Sequence, residues 1–147
     1  MKYLMFLITL GFITSCELRK PEQRFYKATA KNNVALLSLS IDDNQFYGQY
    51  KVRYSENIID SGEVRGVLDG DTLRGRFKYL SYGGVKEVKP FLLLRRGDTL
   101  KLGNGVAYTY MKIPYYIPKS IEFRDSNFQF LPISEAAFKQ SDFKMSR

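Results

Sequence analysis

Hydrophobic and polar residues alternate along most of the chain after residue 33, with the period of two that is typical of β-strands. Two segments, residues 46–54 and 72–79, show this alternation most clearly. Their apolar or small residues fall on one face, namely Phe46, Gly48, Tyr50, Val52 and Tyr54 in the first segment and Leu73, Gly75, Phe77 and Tyr79 in the second. The intervening residues are mostly charged or polar. Each segment therefore predicts a strand with one face towards a core and the other towards solvent.

The two segments belong to a repeat with a spacing of about 27 residues. Phe46-x-Gly48-x-Tyr50-Lys51 matches Leu73-x-Gly75-x-Phe77-Lys78, and Gly70-Asp71-Thr72-Leu73 recurs as Gly97-Asp98-Thr99-Leu100. Asp69-Gly70 and Arg96-Gly97-Asp98 are signals for tight turns. The repeated unit is thus a turn followed by an outgoing and a returning strand, which predicts a meander of hairpins.

Seven to nine strands are predicted in all. They are Val34–Ile41, Phe46–Ser55, Gly62–Leu68, Thr72–Tyr79, Pro90–Arg95, Thr99–Leu102, Ala107–Ile113, and one or two within Ile121–Phe130. Glycines on the apolar faces (Gly48, Gly66 and Gly75) permit the sharp bends that closure of a small barrel requires. Closure also removes exposed strand edges. We therefore predict an all-β domain over residues 25–133, an antiparallel meander closed or nearly closed into a barrel of about eight strands.

Two shorter segments flank this domain. Residues 134–147 form a polar tail, in which Ser134 to Phe138 could make a short helix with Ser134 as N-cap. At the other end, Lys2 precedes an uncharged apolar run from Tyr3 to Ile13, which is too short to span a bilayer and suits the hydrophobic region of a signal peptide.

The run ends in Ile13-Thr14-Ser15-Cys16, which resembles the lipobox of bacterial lipoproteins. The resemblance implies cleavage after residue 15 and acylation of Cys16, with residues 16–24 as the lipidated cysteine and its tether. Several acyl chains, at ~0.8 kcal/mol per buried methylene, make such anchoring stable. Alternatives are an ordinary cleaved signal peptide and an uncleaved anchor beside an incidental cysteine.

The body of the chain resembles small, uncharacterised lipoproteins of the Bacteroidota. The residues that carry this resemblance are Phe46-Tyr47-Gly48 and Gly70-Asp71-Thr72-Leu73-x-Gly75-x-Phe77. It implies a cell-envelope location and brings no activity with it. Glu17 directly after the cysteine favours the outer membrane by resemblance to enterobacterial sorting, while the periplasmic and surface faces stay open.

The amino-acid composition excludes several classes of catalytic and metal site. The 147 residues contain no histidine and one cysteine, which lipidation would consume. Ser–His and Cys–His catalysis within one chain is therefore excluded, and zinc, copper and iron–sulfur sites lose their common ligands. The aspartates at positions 42, 43, 60, 69, 71 and 98 fall in predicted turns and are explained as turn formers. We expect no enzyme activity, no cofactor and no metal.

The chain is basic, with a formal net charge of +8. Cleavage after residue 15 removes one charge, that of Lys2, which leaves +7. Basic residues share the outer faces of two predicted strands, Lys51 and Arg53 on one and Arg74, Arg76 and Lys78 on the other, with Arg65 expected between them. This stripe is either a solvated face or a surface for an anionic lipid, glycan or envelope protein. Nucleic acid is disfavoured because the chain is exported.

The segment Tyr108 to Pro118 is the first choice for a binding site. It contains Tyr108, Tyr110, Tyr115 and Tyr116 together with two prolines. Tyrosine combines contact area with a polar hydroxyl and is common where proteins bind sugars or other proteins. The same residues could instead line a closing edge strand, where proline is tolerated.

Two functions follow as hypotheses. The first is a membrane-anchored, non-catalytic binding or structural module of the envelope. The alternative is a lipocalin-like carrier of a small apolar ligand inside the barrel. A cavity above roughly 300 Å³ lined by Phe46, Tyr50, Phe77 and Tyr79 would favour the carrier. A filled core with aromatic residues exposed outside would favour the module.

Overall fold

The computed structural model describes residues 21–54 and 58–143. The predicted signal peptide, Cys16 and residues 144–147 lie outside these ranges. The strands are β1 Gln23–Ala30, β2 Asn33–Asp42, β3 Gln45–Arg53, β4 Ile59–Asp69, β5 Thr72–Leu80, β6 Lys86–Arg96, β7 Thr99–Leu102, β8 Ala107–Tyr110, β9 Ile113–Tyr116 and β10 Gln129–Ile133. A 3-10 helix spans Pro118–Ser120, and the helix α1 spans Glu135–Ser141. In the part of the chain described, no helix is long and apolar enough to cross a bilayer.

Eight of the strands form a closed antiparallel barrel in the order β1-β10-β7-β6-β5-β4-β3-β2. The predicted fold class is therefore confirmed. The repeat corresponds to successive hairpins, because Gly70 and Gly97 occupy equivalent turns before β5 and β7. Both glycines have positive φ, 58° and 57°. A side chain is disfavoured at this first central position of a two-residue turn, which explains the recurring glycine.

The barrel has two distinct ends. β1 begins at Gln23, which pairs with Ser40 at the same end as the β2–β3, β4–β5 and β6–β7 turns. We call this the N-terminal end. The opposite end, here called the mouth, contains the β1–β2 turn, Tyr54 and the start of β6.

The first barrel strand was missed in the sequence analysis, where residues up to 24 were assigned to the tether and no strand was expected before Val34. β1 carries apolar side chains on both faces. Tyr26 and Ala28 are buried in the core, whereas the Phe25 ring lies 5.0 Å from the ring of Phe138 on α1. Because a helix covers the outer face of β1, the period-two pattern is blurred there.

Two further predictions are corrected at the other end of the chain. Ala107–Ile113 is not one strand but parts of two, β8 and β9, which form a separate hairpin outside the barrel. The turn consists of Met111 and Lys112, both with positive φ (48° and 64°). Neither residue type is typical of such a turn, so the sequence does not indicate that the predicted strand divides here. Ile121–Phe130 likewise contains only the beginning of the barrel strand β10, which starts at Gln129.

Aromatic side chains fill the barrel interior. The Tyr50 ring lies 4.8 Å from that of Phe77, 5.2 Å from that of Phe91 and 6.0 Å from that of Phe130, measured between centroids. Phe46 packs over Gly75, where an added Cβ would lie 2.7 Å from the Phe46 ring and 2.2 Å from the backbone oxygen of Arg65. The glycine therefore makes room for a large neighbour within the wall.

The predicted C-terminal helix is present. Ser134 caps α1 by accepting a hydrogen bond from the backbone N–H of Ala137 at 3.2 Å. The helix packs against β1, and Lys27 on that strand donates to the Ser141 hydroxyl at 3.2 Å. The start of the predicted polar tail is thus an ordered part of the barrel's outer layer.

Candidate binding groove

An open groove of about 690 Å³ lies on the outside of the barrel, beside the β8–β9 hairpin. The hairpin packs against β6 and β5 through β9. We call this space the basic groove. Side chains from β3, β4, β5 and β9 line it, principally Tyr47, Arg65, Val67, Arg74, Arg76, Ile113 and Pro114. The sequence-predicted candidates Arg74 and Arg76 are therefore brought beside the tyrosine-rich hairpin.

The register of the strands concentrates positive charge in this groove. Arg65 on β4 lies directly opposite Arg76 on β5, and Arg65 is also the partner of Tyr47 on β3. Like charges directly opposite each other on one sheet face repel and destabilise the pair. The stability of the sheet therefore does not explain this pairing.

Acidic neighbours compensate only part of this charge. Arg65 forms an ion pair with Glu63 at 2.9 Å, and Arg74 forms one with Asp69 at 3.3 Å. Arg76 makes no ion pair with any residue in the ranges that the structure describes. Its guanidinium offers several N–H donors in a planar fork that suits carboxylates and phosphates.

Lys78 continues the basic surface towards the mouth. It lies opposite Glu63 on β4 and opposite Val88 on β6. These residues, with Arg65 and Arg76, line a second open depression of about 380 Å³. Lys78 therefore adjoins the basic groove without forming its wall.

Lys51 and Arg53 are not part of the same surface, contrary to the expected stripe. The Lys51 ammonium pairs with the Asp142 carboxylate and donates to the Phe143 carbonyl at 3.1 Å. The Arg53 guanidinium carbon lies 5.0 Å from the centroid of the Phe143 ring. The chain after α1 covers these two residues, and β4 separates them from the arginines of β5.

The four candidate tyrosines divide into two groups. Tyr108, Tyr110 and Tyr115 are exposed on the hairpin, at 55%, 65% and 42%. The rings of Tyr108 and Tyr115 meet edge to face with centroids 5.8 Å apart. Tyr116 instead lies half-buried at the barrel mouth, and burial raises the pKa of its hydroxyl.

The mouth contains polar residues that the sequence analysis missed. Asp60 was expected in a turn but lies in β4, on the same face as buried Val64. Lys89 on β6 places its ammonium 5.4 Å from the centroid of the Phe77 ring and 4.7 Å from that of Tyr79. Burial lowers the pKa of Lys89. The alternation of β4, read back from Val64 in steps of two, could have indicated that Asp60 faces inwards.

Tyrosine side chains line the pocket at the mouth together with this lysine. Tyr79 donates to the Glu87 carboxylate at 2.7 Å. Partial burial, reinforced by the negative charge of Asp60, raises the pKa of Tyr54 to about 12. The mouth therefore combines aromatic faces, hydroxyl groups and the Lys89 ammonium around a partly enclosed volume of about 290 Å³, with Asp60 and Glu87 close to the lysine.

The molecule is thus an eight-stranded antiparallel barrel with an external hairpin, a basic groove and a polar mouth. No protein-family model matches the chain, and no curated protein or solved structure is significantly similar to it.

Proposed function

We propose that the protein is a lipid-anchored, non-catalytic binding module of the bacterial cell envelope, held to the outer membrane through Cys16. In this proposal the basic groove binds a carboxylate or phosphate group carried by an envelope lipid, glycan or protein. The observation that carries the proposal is the Arg65–Arg76 pair, two like charges facing each other beside exposed aromatic residues.

The strained hairpin turn supports a binding role for the hairpin. Met111 and Lys112 both adopt the left-handed conformation, which costs of order 1–3 kcal/mol for each non-glycine residue. Met111 is also 77% exposed, so core packing does not explain its identity. Exposed Tyr110 and Ile113 flank the turn, and Ile113 borders the basic groove. A partner seated in the groove would contact this apolar tip.

The position of the anchor leaves the groove accessible. Residues 17–22 connect Cys16 with β1 and span at most about 20 Å when extended. The acylated cysteine would therefore hold the N-terminal end of the barrel near the membrane. The mouth would face away from the bilayer, and the basic groove would open sideways along the barrel wall.

The packing of the core favours this module over the carrier. Phe46 and Phe77 are 1% and 0% exposed. Of the four residues expected to line a carrier cavity, only Tyr50 borders the pocket at the mouth. Aromatic residues are meanwhile exposed on the hairpin. An apolar ligand of carrier size would have to displace packed side chains, which protein interiors resist.

The groove can be tested with acidic polymers. We would measure binding of fluorescent polygalacturonate and polyphosphate to the full-length protein in neutral detergent, before and after the double substitution Arg65→Gln/Arg76→Gln. Loss of two charged donors should weaken binding about tenfold or more. The matched control is Arg95→Gln/Arg96→Gln, which removes the same charge from the end of β6 near Asp71. Equal losses in both variants, or none in either, would contradict the proposal.

The anchor requires a separate measurement. Mass spectrometry of the membrane-extracted protein should find a chain that begins at Cys16 and carries acyl groups. A Cys16→Ala variant should be released from the membrane fraction. An unmodified thiol that reacts with maleimide would overturn the proposed anchoring and location. It would not affect the proposed binding of anions in the groove, which is tested separately.

A further inference from the structure

The pocket at the barrel mouth is chemically different from the basic groove. Its floor is apolar and includes Phe91, Phe128 and Leu102. Its rim carries two asparagines, Asn104 and Asn127. The Asn104 amide donates to the Asn127 side-chain oxygen at 3.3 Å, and the Asn127 amide donates to the Leu102 carbonyl at 3.2 Å. These contacts hold both amides in fixed orientations at the edge of an aromatic cavity.

Tyr50 provides the strongest indication of a ligand. Its side chain is 4% exposed and packed among phenylalanines, yet it borders this pocket. Its hydroxyl forms no hydrogen bond with another residue in the described ranges. No fully buried side-chain oxygen or nitrogen there lacks a partner, so the Tyr50 hydroxyl must open towards the pocket. A hydroxyl held in that position, with no partner among the described residues, is available to a ligand in the pocket.

Among the described residues, Lys89 is the one charged residue that lines the pocket, and it lies over the Tyr79 ring. Asp60 and Glu87 lie outside the lining but close enough to affect the titration of Lys89. Glu87 already accepts a hydrogen bond from Tyr79. The lining therefore offers hydroxyl and amide groups that both donate and accept, with a single positive charge that nearby carboxylates offset. A volume of about 290 Å³ is enough for a ligand of one ring, since pockets for drug-sized ligands begin at about 300 Å³.

From this combination we infer that the barrel mouth binds one ring of an uncharged sugar, with its hydroxyl groups bonded by Tyr50, Lys89, Asn104 and Asn127. Aromatic side chains supply the apolar surface on which the C–H face of the ring packs. The site is separate from the basic groove and does not depend on the proposed function. It also differs from the carrier hypothesis, because its ligand is polar and sits at the mouth rather than inside the filled core.

The sugar itself could be free or the end of an envelope glycan. Both present the same ring hydroxyls, so the protein chemistry cannot separate them, but methyl glycosides can. Binding of the glycosides as well as of the parent sugars would indicate a glycan end, whereas binding of the reducing sugars alone would indicate a free monosaccharide. Either result supports a sugar site.

The test uses the full-length protein in neutral detergent and ligand-observed NMR titrations with glucose, galactose, N-acetylglucosamine and their methyl glycosides. At least one should bind, and Tyr50→Phe and Lys89→Met should each weaken its binding at least fivefold. Tyr108→Phe removes a hydroxyl from the exposed hairpin instead and should bind as the wild type does. Arg65→Gln/Arg76→Gln should also retain sugar binding, which separates this site from the groove.

Thermal unfolding shows whether weaker binding by a variant reflects a folding defect. Because the Tyr50 hydroxyl has no partner in the described structure, Tyr50→Phe should not lower the melting temperature. A lowered melting temperature would show that the hydroxyl is bonded within the protein and would overturn the inference. So would binding of none of the sugars, a tenfold preference for glucuronate over glucose, or binding of palmitate or free amino acids alone.

Discussion

The barrel wall and the external hairpin both contain tyrosines and tight turns, but these features differ between the two regions. Tyr50 and Tyr79 on the wall face the interior, where burial raises the pKa of each hydroxyl. Tyr108 and Tyr110 on the hairpin face outwards. The turns differ similarly, because glycine occupies the positive-φ position of the β4–β5 turn whereas methionine and lysine occupy those of the hairpin turn.

This contrast separates residues selected for stability from residues that stability does not explain. In the wall, alternation and packing favour one structure, as expected for a sequence that folds cooperatively. Glycine fits the turns before β5 and β7, although Lys31 and Asp43 also have positive φ in the β1–β2 and β2–β3 turns. In the hairpin, the turn residues oppose the conformation and the large side chains are exposed. Such conflicts are expected at functional sites. The residues of the hairpin and its groove are therefore those that fold stability explains least.

The largest expected effect is in the wall. Gly75→Ala would place a Cβ 2.2 Å from a backbone oxygen and 2.7 Å from the Phe46 ring. We expect it to lower the free energy of unfolding by about 3 kcal/mol or more, because neither the strand nor the packed ring can move freely. Urea denaturation would measure this change. The control is Gly83→Ala, where an added Cβ meets nothing within 4 Å, and comparable losses in both variants would show that the wall is not close-packed at Gly75.

A smaller effect of opposite sign is expected in the hairpin. Met111→Asn/Lys112→Gly supplies the residues that a two-residue turn with positive φ at both positions prefers. Relief of the strain should raise the free energy of unfolding by about 1–2 kcal/mol. The control Met111→Ala/Lys112→Ala removes the same side chains but keeps both Cβ atoms, so it should bring no such gain. If the glycine-containing variant were no more stable than the alanine control, the hairpin turn would not be strained.

The sequence predicted the wall better than the hairpin for a physical reason. Period-two alternation reports burial on one face, and it located β3 and β5 because their outer faces are polar. It failed for β1, where Phe25 is covered by α1, and for β8 and β9, which bury little. The sequence also placed Arg74 and Arg76 on one face correctly. It could not show that α1 and the chain after it cover Lys51, because that contact joins residues 91 positions apart.

The same limitation explains why the mouth was overlooked. Its polar groups come from strands and loops far apart in the chain, and each has an ordinary explanation when read singly. Asp60 was predicted to be a turn former, and Lys89 lies one residue before the predicted strand Pro90–Arg95. The pairing of β5 with β6 places Lys89 opposite Phe77 and over the rings of Phe77 and Tyr79. Sites assembled from several strands and loops leave no local pattern, whereas the basic groove was partly visible because two of its arginines share one strand.

The smallest expected effect concerns the tyrosines and would sharpen the contrast between wall and hairpin. The pKa of Tyr54 is raised from its ordinary value of 10 to about 12, so the folded protein retains this proton where the unfolded chain releases it. Between those values the folded state binds more protons, and stability must fall as pH rises. Urea denaturation at pH 9 and pH 11 should show a smaller loss for Tyr54→Phe than for the wild type. Tyr110→Phe, which removes an exposed hydroxyl, should follow the wild type, and an equal change in both variants would mean that the environment of Tyr54 does not favour its protonated form.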